Sequence, residues 1–139
     1  MTVGRSKDAG WMIGVSETVA SPVATVWDFM LSQDGLATWL GGDVTLQPEK
    51  GAPYETADGT TGEVRGFREH DRVRLTWRPK DRAHESTIQF TVSAKGNKGD
   101  KTTLRFHQER LTGPEEREAQ RVHWRGVLDT IVHKLGNRD

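Results

Sequence analysis

TGPEEREAQRVHWRGVLDTIVHKLG, residues 112–136, carries the longest helical pattern in the chain. Pro114 stands at a helix start, Glu115 and Glu116 complement the positive end of the helix dipole, Lys134 lies in the last turn and Gly136 supplies the stop. Trp124, Val127, Leu128, Ile131 and Leu135 recur at helical spacing as one apolar stripe, whereas Glu115 to Arg121 is almost wholly polar. The pattern predicts one helix of about 22 residues, about 33 Å long and buried over its C-terminal half. A helix of that length lies across the whole width of a twisted sheet.

The residues before it supply the sheet. From Asp43 to about Arg110, turn signals at EKGAP, ADGTT, REHD, PKDRAH and KGNKGD separate short β-like segments, which predicts an antiparallel meander. RVRLTW turns Val73, Leu75 and Trp77 to one side, STIQFTVSA turns Ile88, Phe90 and Val92, and KTTLRFHQ turns Leu104 and Phe106. Arg72, Arg74, Arg78, Thr87, Gln89, Thr91, Arg105 and His107 stand on the other side, the division expected of a sheet with one wet face. Earlier still, WMIGVSETVAS places Trp11, Ile13, Val15 and Val19 two apart, as in a half-buried strand. SPVATVWDFML then reads as a short helix with Ser21 as N-cap and Pro22 at its first position. After a break at Asp34-Gly35, a second short helix carries Leu36, Trp39 and Leu40 up to Gly41-Gly42.

Length and charge limit what such a chain does. Its 139 residues suit one domain, 1–139, of which residues 1–10 read as a flexible N-terminal segment. Lys plus Arg and Asp plus Glu number 20 each, so no global field steers it towards nucleic acid or an anionic membrane. Trp77 points away from the arginines on its own strand, and Glu63, Glu69 and Glu109 balance them. The arginines therefore read as a solvated sheet face and not as a nucleic-acid stripe with interleaved aromatics. There is no cysteine, no apolar core of a secretory signal near the start and no run of about 18 to 20 apolar residues, which points to the cytoplasm and not to a membrane. His70, His84, His107, His123 and His133 lack zinc-site spacing, and no nucleophile elbow or phosphate loop is present. No metal, cofactor or catalytic motif is expected, and whether the protein is an enzyme stays open.

The order of strand, two short helices, meander and long C-terminal helix resembles the α+β helix-grip fold of the START-like, birch-pollen-allergen-like (SRPBCC) superfamily. SPVATVWDFM resembles its strand-to-helix signature, GLATWLGG its helix with a tryptophan, GEVRGFREHDRVRLTW its glycine-led hairpin and HWRGVLDTIVHKL its closing helix. The nearest subfamily is the one named for activators of the heat-shock ATPase. The resemblance implies a curved sheet of six or seven strands around the long helix, with a cavity between them, and implies no reaction.

In such a fold Tyr54, Val64, Trp77, Phe90, Phe106, Trp124 and Leu128 face one another, closed at one end by Trp39. They either fill a core or wall a pocket for a mainly apolar small molecule, and five tryptophans against one tyrosine favour walls. Glu17 shares parity with Val15 and Val19, so its carboxylate either faces inward and needs a partner such as Arg110 or His123 or, as the favoured alternative, reaches solvent at the strand end. Three functions follow: a binding module, monomeric or homodimeric, for a hydrophobic ligand; a cyclase- or hydratase-like enzyme using Glu17 or His123; or a co-chaperone-like interaction domain.

Overall fold

The computed structural model describes residues 5–6, 10–81 and 84–136, with the side chains of residues 5, 6 and 10 excepted. The elements run β1 (Arg5–Ser6), β2 (Gly10–Val19), α1 (Val23–Leu31), α2 (Gln33–Trp39), β3 (Pro53–Glu55), β4 (Thr61–Arg68), β5 (Arg72–Trp77), β6 (Ser86–Lys95), β7 (Lys101–Leu111) and α3 (Pro114–Gly136). They build a helix-grip fold. All strands pair antiparallel in one seven-stranded sheet of order β1-β2-β7-β6-β5-β4-β3, in which β3 to β7 form the meander and β2 closes against β7.

The period-two pattern becomes ladders that cross four strands. Val73, Phe90, Phe106 and Val15 stand side by side on the core face, and Leu75, Ile88, Gln108 and Ile13 form the next core row. The outer face carries Arg74, Gln89, His107 and Gly14, then Arg72, Thr91, Arg105 and Ser16. The sheet is one-sided as the alternation requires. Its charge is locally balanced: Arg74 pairs with Glu109, His107 lies 3.4 Å from the same carboxylate and Arg65 lies 2.6 Å from Glu63. At the β2–β7 register shift β7 holds one extra residue, and Arg110 takes a left-handed conformation (φ 68°) there.

Three local expectations change. Ser21 is not the N-cap; Pro22 occupies that position in extended conformation without a side-chain cap bond, and the Ser21 carbonyl accepts the Thr102 hydroxyl at 2.7 Å. The break between α1 and α2 falls at Ser32 and not at Asp34-Gly35. Ser32 ends α1, and its hydroxyl oxygen accepts from the Gly35 amide (3.1 Å) to cap α2. Gly35 is inside α2 because the helices meet there: a Cβ would lie 1.8 Å from the Phe29 carbonyl oxygen. Within the N-terminal segment, Arg5–Ser6 pairs with Gly10 and Trp11, and residues 1–4 and 7–9 lie outside the described residues.

The long helix has two unlike halves. Trp124, Val127, Leu128, Ile131 and Leu135 are buried along its C-terminal half, but from Pro114 to His123 the one buried side chain is that of Gln120. The first half is tied down at its flanks instead, by Glu116 to His84 (3.1 Å) and by the Arg117 guanidinium donating to the Met12 carbonyl (2.9 Å). Among the described residues no helix is long and apolar enough to cross a membrane.

Candidate functional site: the space between sheet and long helix

The aromatic residues expected to wall a cavity do converge between sheet and helix, and there they touch. Phe106 stacks on Trp124 with ring centroids 4.7 Å apart, Trp77 meets Trp124 at 6.0 Å, and Trp39 lies 5.2 Å from Phe90 and 6.3 Å from Phe106. Val64 and Leu128 are fully buried in the same core. Trp39 lies at one end of this core, its indole N–H donating to the Met30 carbonyl at 2.8 Å. Trp27, also from a short helix, joins that wall by packing against Phe67 and Phe90, both at 5.6 Å.

Tyr54 belongs to another place. It sits on edge strand β3, its ring covering Gly62, and donates to the Thr76 carbonyl at 2.6 Å. Burial, with a lesser push from Glu85, raises its pKa above the ordinary phenol value.

Opposite the dry end, the same interior turns polar. The Trp124 indole N–H donates to Gln108 Oε1 (2.8 Å), Gln108 Nε2 donates to Ser86 Oγ (2.9 Å), and Ser86 Oγ reaches the Trp77 carbonyl (3.4 Å). Two buried atoms stay outside this chain: Trp77 Nε1 and Gln120 Oε1 have no hydrogen-bond partner. One is a donor and the other an acceptor, and a buried polar atom left unpaired costs about 1 to 3 kcal/mol. Both occupy one end of the interior, because Trp77 packs on Trp124 and Gln120 precedes Trp124 by one turn on the same buried stripe. Sequence reading overlooked Ser86, Gln108 and Gln120. Their signal was parity: Ser86 is in step with Ile88 and Phe90, Gln108 with Leu104 and Phe106, and Gln120 with Trp124, Val127 and Leu128.

Glu17 and His123 do not enter this space. Glu17 is exposed at the flank of α3, where Arg125, and not Arg110 or His123, meets its carboxylate at 3.1 Å. The strand parity was right, but the sheet face at that point reaches solvent beside the helix. His123 is exposed too, its ring stacked over Trp77 at 6.5 Å and edge-on to Trp124 at 4.8 Å. It roofs the polar end from outside. Among the described residues no group of three His, Cys, Asp or Glu side chains is arranged to hold a metal ion.

Open concavities lie elsewhere. One of about 730 Å³ is on the outer sheet face between Arg65, Arg74, Glu85 and Arg110, and another of about 550 Å³ runs between α2 and α3 beside His123.

The sequence model of the Activator of Hsp90 ATPase homolog 1-like proteins matches residues 20–136. The chain belongs to this family. Solved structures with the same fold include CalU16 from Micromonospora echinospora, with 18% identity, a TM-score of 0.75 and coverage of 96% of this chain and 82% of that one. An HSP90 activator from Plasmodium falciparum, PFC0360w, matches with 15% identity and a TM-score of 0.72 over 91% of this chain and 97% of that one. DynU16, a protein of the dynemicin biosynthetic locus, gives 20% identity and a TM-score of 0.75 over 91% of this chain, which spans only 47% of DynU16. No curated protein sequence matches. These identities place this Activator of Hsp90 ATPase homolog 1-like chain in a fold and assign it no ligand.

Proposed function

We propose that the protein is a small-molecule binding module that holds a mainly apolar ligand between the sheet and α3. One observation carries the reading: the N-terminal half of α3 covers the interior with a single buried side chain, Gln120, whose acceptor is unsatisfied. Lifting that half away from the sheet forfeits little apolar burial, while the C-terminal half keeps its full stripe in place. The space so opened borders Trp77, Phe106 and Trp124, an aromatic wall suited to an apolar body. Trp39, Val64, Phe90 and Leu128 continue that wall inward, Tyr54 flanks it at the sheet edge, and Glu17 and His123 stand at its rim. On this reading the module acts in the cytoplasm as a monomer or homodimer, with no metal or cofactor.

The acid–base reading loses its support, because Glu17 is neutralised by Arg125 in solvent and His123 lies outside the apolar enclosure. A protein-interaction role rests on the name of the family; Val122 is the one exposed large hydrophobic among the described residues, so no apolar patch favours it. Native mass spectrometry of the protein after incubation with a cell extract tests the binding reading. A one-to-one adduct of small-molecule mass is expected, and a spectrum containing only the bare chain overturns it.

A further inference from the structure

Trp77 Nε1 and Gln120 Oε1, each beside Trp124, are buried and complementary in chemistry. Neither atom is satisfied although the neighbouring Trp124, Gln108 and Ser86 satisfy one another, so the polar end is not simply a badly packed region. The two groups ask for different things: the indole offers a proton and the amide oxygen takes one. Among the described residues no Asp, Glu, Lys, Arg or His is buried; His123, stacked over Trp77, is exposed, and the His84–Glu116 pair belongs to the partly exposed flank of the helix. A charged group placed here would be buried with no counter-ion, at a cost that a neutral group avoids.

We propose that this end of the interior is a subsite for an uncharged head group that both accepts and donates a hydrogen bond, of the amide or hydroxy-carbonyl class. Its acceptor takes the Trp77 indole proton and its donor reaches Gln120 Oε1, while the apolar body attached to it lies along Phe106 and Trp124. The subsite rests on the binding-module reading and narrows it: an apolar compound without such a head leaves both buried atoms unpaired, and an anionic one is excluded.

Three matched probes separate these possibilities: 2-naphthamide, naphthalene and 2-naphthoate at pH 7. Binding is followed by the indole N–H signals of the five tryptophans in nitrogen-15 NMR spectra, the Trp77 signal being the one lost in Trp77→Phe. The amide is expected to bind about tenfold more tightly than naphthalene, to bind more tightly still relative to the carboxylate, and to shift the Trp77 signal. Gln120→Leu is expected to remove that tenfold preference while naphthalene binding persists. Trp77→Phe, which keeps a ring and deletes the donor, gives the same loss independently of how Gln120→Leu folds. Equal binding of amide and naphthalene overturns the subsite and leaves the binding module standing. So does a Trp77 signal that keeps its contact to a slowly exchanging water in the presence of the amide, the mark of a resident water only. Failure of both neutral probes to bind overturns subsite and module together.

Discussion

The two ends of the sheet–helix interface are made from the same elements and finished differently. At one end Leu128, Ile131 and Leu135 of α3 are buried with Phe90 and Trp39 in a dry aromatic and aliphatic core. At the other, Gln120 descends from the same helix towards Trp77, Ser86 and Gln108, and two polar atoms go unpaired. Apolar burial and unpaired polarity thus fall on different turns of one helix. The dry end holds the helix on the sheet through area removed from water, and the polar end contributes little to that hold.

Substitutions at the two ends should separate these roles. Trp124→Ala, at the boundary, removes a fully buried ring stacked on Phe106 and also strands Gln108; a loss of about 3 to 5 kcal/mol in denaturant unfolding is expected. A loss below about 1 kcal/mol would mean that the ends are not distinct. Gln120→Leu is expected to act in the opposite direction, raising stability by about 1 kcal/mol, because it deletes an unsatisfied acceptor and adds apolar contact. A marked fall in melting temperature would show that Gln120 has a partner in solution and would collapse the contrast. Glu17→Gln, which touches neither end, should change stability by less than about 1 kcal/mol, since the Arg125 pair is solvent-exposed; a larger effect would place Glu17 in the interface after all.

The architecture was readable because periodicities survive folding. Val73, Leu75 and Trp77 alternate in the chain and alternate in the sheet, and the stripe from Trp124 to Leu135 is the stripe that is buried. Of the candidate site only the apolar part was legible, and the core requires those residues in any case. At Glu17 parity specified a face and not its depth, and the solvent-reaching alternative is the one found: the same face that buries Val15 brings Glu17 out beside α3. Ser86, Gln108 and Gln120 went unnoticed because a polar residue on an apolar stripe has no meaning until its neighbours are known, and those neighbours come from β5, β6, β7 and α3 together. Ser32 was obscured by the glycine three residues after it, a more conspicuous breaker that turned out to be a contact point.

That contact point bears on how the protein is altered by design. Because the Gly35 position has room for a hydrogen and nothing larger against the Phe29 carbonyl, the separation of α1 and α2 is a built dimension of the molecule. Trp27 hangs from one of these helices and Trp39 from the other, so any side chain at residue 35 moves the far wall of the interior as a whole. A library meant to probe the proposed ligand site should vary Trp27 and Trp39 freely and keep residue 35 constant, since that glycine is the gauge against which both walls are set.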